Sequence, residues 1–162
     1  KSIFLITISQ YNLPIMKELL YLKDEQIKDF IQLLFYAYRE TFSDPKEILS
    51  KNSFGPAHLR ALNLIERNPG TNLGELMYQL KITKQSLNRV LRDLLKKKMI
   101  KQIKDEEDTR KKNLFLDKNG KIFFDKIYAT QKKRIFNALK NSEADSVIKF
   151  KEVLSKIING KN

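Results

Sequence analysis

The stretch "TNLGELMYQLKITKQSLNRVLRDLLKK" (Thr71–Lys97) decides the fold. Asn72 stands three residues before Glu75, the spacing of a capping box, so a helix opens there. Leu73, Leu76, Met77 and Leu80 then recur at helical spacing and face inward. "KIT" (Lys81–Thr83) is a tight connection, with Thr83 as the cap of the next helix. That helix carries Leu87, Val90, Leu91, Leu94 and Leu95 as a one-sided stripe. Two short helices joined by three residues have the shape of a helix-turn-helix.

Downstream, "MIKQIK" (Met99–Lys104) and "NLFL" (Asn113–Leu116) are strand candidates. The stretch "KDEEDTRKKNLFL" (Lys104–Leu116) therefore contains the tip of a hairpin, with a loop too long for a two-residue turn. A helix-turn-helix followed by such a hairpin is a winged helix. Upstream, Asp24 caps a first helix in which Ile27, Phe30, Ile31, Leu34 and Tyr38 repeat at helical spacing. Leu33, Phe35 and Tyr36 add apolar surface on its other faces, which in a chain of this size favours packing against a partner subunit. "TFSDPKEILSKNSFGP" (Thr41–Pro56) breaks the pattern, because Asp44-Pro45 and Gly55-Pro56 are strong punctuators. A second helix follows with Pro56 in its first turn, Leu59, Leu62 and Ile65 on one face, and Asn68–Gly70 at its end.

After the hairpin, Asp117 caps a long helix to about Leu139, with Ile122, Phe123, Ile127, Ile135, Phe136 and Leu139 as its apolar positions. Ser142 is expected to cap the last helix, which uses Val147, Phe150, Leu154 and Ile157 and stops at Gly160. The expected fold is mainly α with a small β-hairpin wing. Residues 1–23 form an N-terminal arm, 24–54 a dimerisation helix and linker, 55–117 the winged helix-turn-helix lobe, and 118–162 C-terminal dimerisation helices. The apolar run Ile3–Ile8 is too short for a secretion signal or a membrane span and reads as an extended segment; Met16 offers an alternative start.

The 162 residues include no cysteine and one histidine, His58. Disulfides, thiolate metal sites and Cys-based redox sensing are thereby removed, as are multi-histidine metal sites within one chain. No G-x-S-x-G, P-loop, G-x-G-x-x-G or H-E-x-x-H pattern is present, so neither an enzyme nor a cofactor is expected. The net charge of +13 suits a partner rich in phosphate. A Lys-rich surface is the bland alternative, and distribution decides between them. Lys81–Lys112 holds twelve basic residues against five acidic ones, a net +7, about half the total in one fifth of the chain.

Opposite the leucine stripe of the second short helix lie Gln85, Asn88, Arg89 and Arg92, with Lys84 and Ser86 in the first turn. Gln and Asn pair bidentately with adenine and Arg with guanine, while Ser and Lys near a helix N-terminus suit phosphate. An ordinary solvated face is mixed in sign; this one holds a single acid, Asp93.

The order of elements resembles the MarR family of bacterial transcription regulators. The family's wing signature, D-x-R-x-x-x-L, stands here as Asp108-Thr109-Arg110-Lys111-Lys112-Asn113-Leu114. Its following L-T-x-x-G is "LDKNG" (Leu116–Gly120), with Asp117 in place of the threonine. "ITKQSLNRVLRDLLKKKMI" (Ile82–Ile100) is similar to the family's recognition helix, and Phe35–Glu40 ("FYAYRE") and Lys81–Leu87 are similar to a PetP-like proteobacterial branch. The resemblance implies a cytoplasmic, nucleoid-associated homodimer on a pseudo-palindromic double-stranded operator, without a membrane. Lys84, Gln85, Ser86, Asn88, Arg89 and Arg92 would face DNA, as would Arg110, Lys111 and Lys112, with Arg110 in a minor groove and Asp108 holding the wing. It also implies a repressor relieved by a small aromatic or anionic effector. The candidates for that pocket are Tyr36, Arg39, His58 and Arg60. The competing reading is a non-specific nucleic-acid-binding protein. That would favour exposed aromatics for base stacking, whereas the aromatics here fall mainly on helix core positions. The acids Asp105–Glu107 would repel phosphate and are expected to turn toward neighbouring cations or water.

Overall fold

A computed structural model describes residues 22–108 and 110–160; the expected N-terminal arm lies outside them, apart from Leu22 and Lys23. Among the described residues there are seven helices and one hairpin. The order is α1 (Asp24–Ser43), α2 (Lys46–Lys51), α3 (Pro56–Arg67), α4 (Leu73–Leu80), α5 (Lys84–Lys96), β1 (Ile100–Lys104), β2 (Lys112–Leu116), α6 (Lys118–Lys140) and α7 (Ala144–Asn159). This is the mainly helical winged helix that the sequence predicts. The described residues fall into two units, one up to Thr41 and the other from Phe42 onward.

In the first unit, α1 starts with Asp24 and Glu25, whose charge suits the positive end of the helix dipole. Among the described residues none of α1 is buried, and Leu33 and Ile31 are 64% and 62% exposed. An apolar surface of that kind is unstable in water without a cover.

The second unit holds the core. Leu59, Leu62 and Ile65 of α3, Leu76 of α4, Leu87, Leu91 and Leu94 of α5, Leu114 of β2 and Ile127 of α6 are buried together. Each fully buried leucine or isoleucine contributes roughly 1.5–3 kcal/mol relative to exposure. Local chemistry sets the ends of these helices. Pro56 opens α3 behind an extended Gly55. Asn72 accepts the Glu75 N–H at 3.1 Å while Glu75 reaches back to the Asn72 N–H, closing the expected capping box. Lys81 closes α4 in a left-handed conformation (φ 51°), and Thr83 caps α5 through the Ser86 N–H at 3.3 Å.

β1 and β2 pair antiparallel, with Ile100 opposite Leu116 and Lys104 opposite Lys112. The free edge of β2 is covered. The Gly70 N–H donates to the Leu114 carbonyl at 2.9 Å, and the Leu114 N–H donates to the Thr71 carbonyl at 2.8 Å. The turn before α4 is thereby tied to the wing, and Gly70 makes this possible at φ +90° with the Phe115 ring against it. The Asp117 N–H donates to the Met99 carbonyl, and a Cβ on Gly120 would lie 1.7 Å from the same oxygen. The glycine of "LDKNG" is thus where α6 touches the start of β1.

Two elements differ from expectation. Residues 46–51 form α2 rather than a linker, because Pro45 stands at its N-cap position and Leu49 is buried beneath it. Ser142 is not a cap; its hydroxyl donates to the Ala138 carbonyl, and Glu143 precedes α7 without a side-chain bond. The buried residues of α6 all lie in its first half, at Gly120, Phe123, Phe124 and Ile127. Its second half and α7 expose Ile135, Phe136, Leu139, Ile148, Phe150, Ile157 and Ile158.

Candidate nucleic-acid interface

α5 buries Leu87, Val90, Leu91 and Leu94 against the core, which leaves one face outward. Lys84, Gln85, Ser86, Asn88, Arg89 and Arg92 are all exposed there. The first turn is held by Thr83, whose hydroxyl also donates to the Ser86 hydroxyl at 3.0 Å. The acid of this helix is engaged by α3. Asp93 is half-buried, and its Oδ2 lies 3.3 Å from His58 Nε2 on α3. His58 in turn accepts the Gly55 N–H at Nδ1 (3.1 Å) and stacks on Phe54 at 4.8 Å. Lys97 extends the link: its ammonium lies over the Phe54 ring and donates to the Asn52 carbonyl. α5 and α3 are thus joined by polar contacts beside the outward face of α5. Sequence reading noticed Asp93 and His58 separately, but 35 residues part them and no pattern connects them.

The wing supplies the second half of the surface. Arg110, Lys111 and Lys112 are exposed, and the Arg110 side chain is 92% so. Asp108 holds Arg110 by accepting both its backbone N–H and its Nε at 3.1 Å with a single carboxylate oxygen. Thr109, also part of the expected wing signature, lies outside the described residues. Asp105 bonds mainly within its own hairpin, with the Lys111 charge adding a smaller attraction. It accepts the N–H groups of Glu107 and Asp108 and the amide of Asn113, and these bonds, the Asn113 amide foremost, hold its carboxyl below the ordinary aspartate range. Glu106 and Glu107 are exposed.

Between α5 and the wing runs a cleft of about 980 Å³. Asn88, Arg92 and Lys96 line one wall and Arg110, Lys111 and Lys112 the other, while Asn72, Leu73 and Gly74 close it at the N-terminus of α4. Cations, amides and a helix N-terminus around one groove suit a polyanion.

Of the four candidate effector residues, two lie on α1 and two on α3. On α1, the Arg39 guanidinium lies 4.8 Å from the centre of the Tyr36 ring and pairs with Glu40, while the Tyr36 hydroxyl accepts from Gln32 at 2.8 Å. On α3, His58 makes the helix-linking contacts above. Arg60 is half-buried, and its Nε has no hydrogen-bond partner among the described residues. Among the described residues, no cluster of His, Asp or Glu could hold a metal ion, and no helix is long and apolar enough to cross a membrane.

Residues 53–111, from the turn before α3 to the wing, match the profile of the MarR family. The chain is 35% identical over 141 residues to the HTH-type transcriptional regulator PetP of Rhodobacter capsulatus, covering 87% of this chain and 85% of that protein. Among solved structures, FabT of Streptococcus pneumoniae in complex with DNA is similar with a TM-score of 0.69 at 14% identity, covering 84% of this chain and 95% of FabT. NadR in complex with 4-hydroxyphenylacetate is similar with a TM-score of 0.68 at 20% identity, covering 79% and 91%. The structural likenesses establish a shared fold. Identity to PetP across most of both chains, with the family match over helix-turn-helix and wing, makes this chain a member of the MarR family of transcriptional regulators.

Proposed function

We propose that the chain is a sequence-specific double-stranded DNA-binding repressor that acts as a homodimer. In this reading α5 enters a major groove with Gln85, Asn88, Arg89 and Arg92 toward base edges. Lys84 and Ser86 meet phosphate, and Arg110 reaches the adjacent minor groove. The two copies read half-sites about 10 bp apart on one face of a pseudo-palindromic operator. The observation that carries the reading is the outward face of α5. Six hydrogen-bonding side chains stand there, and the helix's one acid is turned back to His58. A protein that merely coats nucleic acid has no need of such a face. The DNA complex of FabT, a neighbour in fold, supports the class of partner.

Homodimerisation is supported by the apolar residues left exposed on α1, the second half of α6 and α7. A small aromatic anion as effector is supported by the NadR complex with 4-hydroxyphenylacetate and by the pairing of Tyr36 with Arg39 on α1. His58 suits this role less well, since both its ring nitrogens are engaged in the lobe.

The test is competition binding with duplexes selected from the source genome. A preferred duplex should win by roughly 1000-fold or more over random DNA. Indifference among duplexes, or tighter binding to RNA, would refute sequence-specific regulation in favour of non-specific coating.

A further inference from the structure

Charge alone does not explain Asp105. It stands on the same hairpin as Arg110, Lys111 and Lys112, where a negative charge weakens attraction to phosphate. Its carboxylate is committed to the hairpin itself. Oδ1 accepts the backbone N–H groups of Glu107 (3.1 Å) and Asp108 (3.0 Å), and Oδ2 accepts Asn113 Nδ2 at 2.9 Å from the returning strand. The Asp105 N–H donates to the Lys111 carbonyl, and the Lys111 N–H donates to the Asp108 carbonyl at 2.8 Å. Asp108 then holds Arg110 by two bonds. The bonds run from Asn113 through Asp105 to the backbone at 107 and 108, and so to the arginine.

We propose that Asp105 and Asn113 are positioning residues for DNA binding, which together shape the wing loop and aim Arg110. The inference rests on the DNA-binding reading above. In a loop longer than a two-residue turn, side-chain to backbone bonds of Asp and Asn help fix the backbone course. A loop ordered in advance presents its arginine without a further ordering cost on binding. Electrostatics and positioning make opposite demands here. Removing the charge of Asp105 should tighten binding if the acid only repels DNA. Removing its bonds should weaken binding if it shapes the wing.

The experiment uses the full chain, its preferred duplex, and the variants Asp105→Ala, Asp105→Asn and Asn113→Ala. Asp105→Ala should bind about fivefold more weakly despite its extra positive charge, and Asn113→Ala should also weaken without any change of charge. Asp105→Asn keeps an oxygen for the two backbone N–H groups and should stay within about twofold of the parent. Preference for A·T in the flanks should fall in the weakened variants, while preference at bases beneath α5 holds; a general loss of folding would lower both. Independently of DNA, the Glu107 and Asp108 amides should exchange faster with solvent in Asp105→Ala, and the Leu91 amide should not. A parent that prefers no duplex overturns the DNA reading and this inference with it. A parent that does, beside an Asp105→Ala variant that binds as tightly or more tightly, or whose two amides exchange unchanged, overturns this inference alone.

Discussion

Replacing Gly120 by alanine sets two effects of opposite sign against each other. Gly120 lies in the first turn of α6, where helix propensity alone favours alanine by up to about 1 kcal/mol. The tertiary structure forbids the exchange. The added Cβ would lie 1.7 Å from the Met99 carbonyl oxygen and 2.7 Å from its carbon, both backbone atoms that no rotamer can move aside. Real Cβ contacts essentially never fall below 3.0 Å, so α6 must retreat from β1 by about 1.3 Å, the difference between 3.0 and 1.7. That shift strains or breaks the Asp117 N–H bond to the same carbonyl at 2.9 Å and lifts Phe123 and Phe124 from the core. Forced overpacking typically costs about 1–3 kcal/mol, and here the clash is with backbone, so the loss should reach or pass the upper end. Urea unfolding of parent and Gly120→Ala at equal concentration measures it. A variant as stable as the parent, or more stable, would refute the claim that this close approach fixes where α6 leaves the wing.

Other expectations divide by mechanism. Arg89→Ala should lose about 1–3 kcal/mol of operator affinity and relax preference at one base, whereas Lys112→Ala should weaken all duplexes alike and lower the salt slope by about 1; a filter or fluorescence titration across salt and sequence separates them. Asp44, in the turn between α1 and α2, accepts two bonds from Arg134 of α6 (2.7 and 2.8 Å), and these hold its carboxyl below the ordinary range. A carboxylate with a depressed folded pKa adds stability above its unfolded pKa, near 3.9, and loses it as pH falls through the folded value. Acid unfolding of Asp44→Asn should therefore begin from lower stability at neutral pH and fall less steeply in that window, by no more than about 1 kcal/mol because Arg134 is 45% exposed. Phe136→Glu places a charge on an exposed apolar residue of α6, and sedimentation should show a shift toward monomer with the helix content kept; an unchanged mass would argue against that face as the dimer contact.

What could be read from the chain depended on the range of the interaction responsible. The caps at Asn72, Thr83 and Asp117 and the stripe from Leu87 to Leu94 were legible because they act within one or two helical turns. The charge imbalance of Lys81–Lys112 was legible because charge density needs no fold to be counted. α2 was missed because Asp44-Pro45 punctuates a sequence whether it ends a helix or begins one. Only burial of Leu49 in the lobe decides between these. Ser142 was misread as a cap because its hydroxyl finds the preceding turn's carbonyl at Ala138 instead.

By itself, then, the sequence determined the winged-helix order, the one-sided apolar stripe of α5 and the cationic wing, since periodicity, caps and charge are properties of neighbours along a chain. The tertiary structure alone decided that Asp93 turns to His58, that Asn113 meets Asp105, and that Gly120 admits no side chain beside Met99. Two of these contacts join residues from different elements. The third, between the loop and β2, appears only once the hairpin closes and brings Asn113 to Asp105. In each, the position of the partner in space, not the character of either residue, selects the interaction.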